Sequence, residues 1–127
     1  MKFKVFMLLF CFSTAAHAYD SQKATVNLAA DLSMCAAFYL FMSKGLEKMN
    51  KDTTHITASA MKAFDKAAEI SNIETTTSSM KLFSTQMSQQ MGGDWSNAPL
   101  LIDQYASLCK ATVQNPQIRL QFWLNKK

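Results

Sequence analysis

Two cysteines, each set within an amphipathic helical pattern and separated by most of the chain, constrain the fold more than any other feature. From Leu28 the apolar residues Leu28, Leu32, Cys35, Tyr39, Met42, Leu46 and Met49 step alternately by four and three, the seam of one face of a long helix. Met34, Phe38 and Phe41 widen that stripe, while Asp31, Ser33, Ser43, Lys44, Glu47 and Lys48 fall mostly outside it. Towards the other end, Leu101, Ile102, Tyr105, Leu108 and Cys109 occupy adjoining helical positions. Both sulfurs are therefore expected to point into one core. The pair is too widely spaced for a C-x-x-C redox or thiolate site, so the simplest reading is one disulfide, Cys35–Cys109. Closing a loop of this length stabilises a fold by roughly 4–5 kcal/mol in the chain-entropy model.

The disulfide reading requires an oxidising compartment, and the N-terminus supplies the address. Lys2 and Lys4 place charge ahead of an unbroken apolar run over 5–12, and Ala16-His17-Ala18 has small residues at both positions a signal peptidase inspects. Residues 1–18 are expected to be a cleaved signal peptide, which makes the protein exported, periplasmic or secreted. The apolar run is far shorter than the roughly 20 residues that span a bilayer, and no other uncharged stretch approaches that length, so no transmembrane anchor is expected in the mature form. Cys11 lacks the small preceding residue of a lipid-attachment site, since Phe10 stands there.

Residues 19–127 are then a single helical domain with one core. Lys2 and Lys4 account for two of the four formal net positive charges, and Arg119 is the sole arginine. Without a cluster of Lys and Arg, no nucleic-acid partner is expected.

Between the cysteines the periodicity continues. Residues 50–54 are polar, with Asp52 or Thr53 a plausible N-cap, and Ile56, Ala60, Ala63, Ala67 and Ile70 form a thin, alanine-rich face. Residues 71–79 are rich in Ser and Thr, which leaves open whether they form a turn or continue the helix. Ile73, Met80, Phe83, Met87 and Met91 resume a stripe that stops at Gly92-Gly93. Pro99 suits the first turn of the fourth helix, and Asn115-Pro116 ends it and opens a short fifth one over 117–124. Gly45, inside the first helix, predicts the close approach of a partner helix. The expected fold class is all-α: an up-and-down antiparallel bundle of about four helices plus a short C-terminal helix, with one disulfide between helix 1 and helix 4.

Residues that carry chemistry are scarce. His55 is the single histidine after residue 18, and it reads as a surface or capping residue. Asp65 and Glu69 share a helical face with Lys62 and Lys66 one turn away, the pattern of a solvated surface. No serine sits in a G-x-S-x-G motif, and Gly92-Gly93 lacks the lysine of a phosphate loop. No catalytic residue, metal ligand or cofactor is expected, and the protein is not read as an enzyme. Seven methionines follow residue 18; all lie at or beside apolar-stripe positions, which favours core filling over an adaptable groove or a Cu(I) site.

Four residues are candidates for partner binding: Trp95 in the connection before helix 4, and Arg119, Phe122 and Trp123 at the C-terminus. Aromatic anchors beside Arg119, Lys126 and Lys127 suit an acidic partner or anionic lipid; the alternative is a Trp that caps the bundle. The functional expectation is a non-enzymatic interaction module, of inhibitor, immunity or chaperone-like kind, with an unidentified protein partner. Its alternative is a small-molecule, lipid or metal carrier with a Met- and Phe-lined cavity.

Overall fold

The computed structural model describes residues 14–126, with side chains from Asp20 onward, so most of the signal-peptide segment lies outside the described residues. Five α-helices follow in order: α1 Thr14–Lys48, α2 Thr54–Ile70, α3 Ile73–Met91, α4 Ala98–Gln114 and α5 Pro116–Leu124, with a 3-10 turn at Trp95–Asn97. The described residues contain no strand. The all-α expectation holds, and the disulfide joins α1 to α4.

α1 is the central element, because α2, α3, α4 and α5 all pack on it. A helix surrounded in this way buries more than one stripe. Ala24, Ala29, Ala36, Ala37, Ser33 and Ser43 are buried along with Leu28, Leu32, Cys35 and Phe38. The two serines, expected outside the stripe, are hidden at little cost because their hydroxyls donate to Ala29 O at 2.8 Å and Leu40 O at 2.9 Å. The far end of the seam runs out: Met49 lies beyond the end of α1 and is 61% exposed. The stretch Asp20–Lys48 has the length and composition to cross a membrane, at a mean hydropathy of 1.4, yet 44% of that apolar window is buried against the rest of the protein.

Cys35 and Cys109 are fully buried, their Cα atoms 5.2 Å apart. On α4, Leu101 and Tyr105 share the buried side with Cys109; Thr112 and Val113 complete it, whereas Ile102 turns partly outward. α2 fully buries only Ala60, Ala63 and Ala67, with Phe64 and Ile70 half-buried against the core beside them. Met61 on that helix is exposed, like Met49, and these two depart from the core-filling role that Met87 and Met91 do play.

The connections follow local chemistry. Asp52 Oδ1 accepts the Thr54 N–H at 2.9 Å and the Thr54 hydroxyl at 2.7 Å at the start of α2. α2 and α3 are separate helices: Asn72 takes an extended backbone and its side chain accepts the Thr75 N–H at 2.8 Å. The buried stripe of α3 runs through Thr76, Met87 and Met91, with Met80 and Phe83 half-buried and Ile73 left in solvent at its first turn. Gly92, at φ 60°, ends α3 in the left-handed conformation that glycine adopts without strain.

Gly45 is buried, but what approaches it is a ring rather than a helix. A Cβ on Gly45 would meet Trp95 Cζ3, and would lie 2.8 Å from Cε3 and 2.9 Å from Cη2. The Trp95 ring also stacks on Phe41 at 5.3 Å between centroids, with Lys48 Nζ 5.5 Å from its own centroid. The approach was legible in the glycine; its source, fifty positions away in the 3-10 turn, was not.

Candidate functional site

The C-terminal helix is held to α1 by a charged contact. Asn115-Pro116 breaks the chain direction after α4, and Pro116 starts α5 within a turn. Leu120 faces the core. Arg119 and Trp123, four apart on α5, then face α1, where Asp31 Oδ2 accepts the Arg119 Nε–H and the Trp123 indole N–H, each at 2.6 Å. All three side chains are half-buried, which strengthens these bonds relative to ones in open water.

The rest of the cluster is open to solvent. Arg119 Cζ lies 4.3 Å from the Phe122 ring centroid and 5.0 Å from that of Trp123. Lys126 Nζ stands 4.7 Å from the Trp123 centroid and 5.8 Å from the Phe122 centroid. Phe122 meets Trp123 edge-on. Ile118 and Phe122, one turn apart on the outer side of α5, are 68% and 48% exposed. Beside them the start of α1 and the end of α5 enclose an open cleft of about 480 Å³.

The structure thus brings together three of the four candidate residues, Arg119, Phe122 and Trp123. Trp95 lies elsewhere: the α1 residue it covers, Gly45, is fourteen positions from Asp31, or about 21 Å along the helix axis. The sequence reading missed Asp31, which it assigned to the solvated face, and the α1 residues Asp20, Lys23 and Asn27 that complete the cleft. Asp31 gives no local signal, since its partners are 88 and 92 positions away.

Other chemistry-bearing residues stand alone. His55, Asp65 and Glu69 are all on exposed surface. Hydrogen bonds from the Thr54 hydroxyl and the Thr54 N–H hold the Asp52 carboxyl below its ordinary range, and those from Ser96 do the same for Asp94. Burial raises the Tyr39 phenol. Among the described residues no three His, Cys, Asp or Glu side chains group as a metal site. A second, smaller cleft of about 230 Å³ lies between α1 and the α2–α3 junction, bordered by Val26, Ala29, Ser33, Ile70 and Thr75. No family model, curated protein or solved structure matches the chain.

Proposed function

We propose that the mature chain, residues 19–127, is an exported, non-enzymatic interaction module that binds a protein partner through its helical surface, as inhibitors, immunity proteins and chaperone-like modules do. One contrast carries this reading. The interior is filled by Leu32, Met87, Leu101 and the disulfide, while large apolar side chains project outward, among them Ile118, Phe122, Leu100 and Leu82. Exposed apolar side chains beside basic charge are what a docking surface presents. Export is supported by the N-terminal pattern of residues 1–18 and by the disulfide. The wrapping of α1 by four helices, and the buried serines along it, support its role as a core helix over that of an anchor.

The experiment is affinity purification of the tagged, exported protein after mild cross-linking, with mass spectrometry of what elutes. A stoichiometric protein partner is expected. A protein that elutes without a protein partner and carries a bound apolar small molecule contradicts the reading and favours a carrier.

A further inference from the structure

The cleft between α1 and α5 has a lining of definite chemistry. Asp20, Lys23 and Asn27 border it from α1, and Trp123, Leu124 and Lys126 from the end of the chain. Neither Lys23 nor Lys126 makes a salt bridge among the described residues. The negative charge of Asp31 nearby is already matched by Arg119, and the Trp123 N–H is already donated to it, so the indole offers the cleft an apolar face. The chain carries no Asp or Glu after Asp103, but it carries Lys110, Arg119, Lys126 and Lys127. Lys126 stands over both rings, so the cationic cleft continues directly into the exposed Phe122.

We infer that this cleft is where the partner docks, and that it receives a segment bearing a carboxylate side chain beside a bulky apolar one. The inference rests on the interaction-module reading above. The carboxylate fits beside Lys23 and Lys126, which border the cleft from its two sides; the apolar side chain fits on Phe122 and Ile118. Asp20 and the concave shape favour a protein segment over a membrane. A uniformly anionic lipid surface meets repulsion from Asp20, whereas a peptide turns its own N–H groups towards that carboxylate and towards the Asn27 amide.

The probe is the synthetic peptide acetyl-Glu-Leu-Glu-Leu-Glu-amide, titrated into the ¹⁵N-labelled, disulfide-bonded exported protein, with the peptide carrying Lys in place of Glu as control. The expected result is saturable shifts confined to Lys23, Asn27, Lys126 and the Trp123 indole N–H. K23E/K126E should weaken binding about tenfold or more, with an unchanged melting temperature. Absence of saturation at millimolar peptide, equal binding of the lysine peptide, or shifts centred elsewhere overturns the inference. So does binding to phosphatidylglycerol/phosphatidylcholine vesicles without binding to the peptide. The two readings fail separately. A partner still captured by K23E/K126E removes this site and leaves the interaction module, whereas failure of both the exported protein and the variant to capture a partner removes the module itself.

Discussion

A single carboxylate oxygen, Asp31 Oδ2, accepts the indole N–H of Trp123 across 92 residues of sequence, and the Arg119 guanidinium reaches the same atom. This makes α1 both the core of the bundle and the anchor of the C-terminal helix. The docking surface proposed above is therefore only as rigid as this contact.

Removal of the carboxylate should loosen α5. Asp31→Ala leaves Arg119 and the indole N–H without their shared acceptor, a loss of about 1.5–3 kcal/mol for hydrogen bonds to a charged group. In a Trp95→Phe background Trp123 is the remaining indole, so its emission should move to the red as α5 detaches. Unchanged emission and an unchanged denaturation midpoint would show that α5 is held without this contact.

Gly45 provides a test of sign. Helix propensity favours Ala over Gly by about 1 kcal/mol, while overpacking against the Trp95 ring costs about 1–3 kcal/mol. Gly45→Ala should therefore destabilise the protein in the natural background and stabilise it once Trp95 is Ala. Denaturant titration of the four proteins reads the coupling; a gain in both backgrounds would mean that the ring yields freely.

Thr112 is fully buried on α4, and its hydroxyl lacks a hydrogen-bond partner among the described residues. Thr112→Val keeps the shape and removes the desolvated hydroxyl, so a gain of about 1 kcal/mol is expected. A loss of that size would reveal a bond made by this hydroxyl.

The acid limit of stability should involve the helix starts. Asp52 and Asp94 both have carboxyls held below the 3.8 of an unperturbed aspartate. Their contribution is present above the unfolded value and is lost as pH falls through the lower folded value, so the affected window lies below about pH 4. Carboxyl ¹³C shifts should place both midpoints under 3.8; midpoints at or above it would remove these bonds as caps.

Much of this architecture was legible because its signals are local. The stripe around Cys35, the Asn115-Pro116 break and the Gly92 stop each depend on neighbours within a turn or two, and they emerge where the sequence placed them. The burial of Ser33 and Ser43 was hidden because a hydroxyl bonded to its own helix can sit where an apolar residue is expected. At the candidate site the division is similar. Arg119, Phe122 and Trp123 stand out as a basic aromatic cluster within five residues, but Asp31, Lys23 and Asn27 belong to it only because α5 folds back on α1. The partner type at Gly45 escaped for the same reason: a side chain brought by a distant turn leaves no periodic trace.

The account depends most on an exported chain whose first and fourth helices are joined through sulfur. Intact mass of the protein recovered from outside the cytoplasm, with and without reduction before alkylation, tests this directly. The predicted result is a chain of residues 19–127 that takes up alkyl groups only after reduction. A chain that retains residues 1–18, or one that is alkylated at Cys35 and Cys109 without reduction, would contradict it.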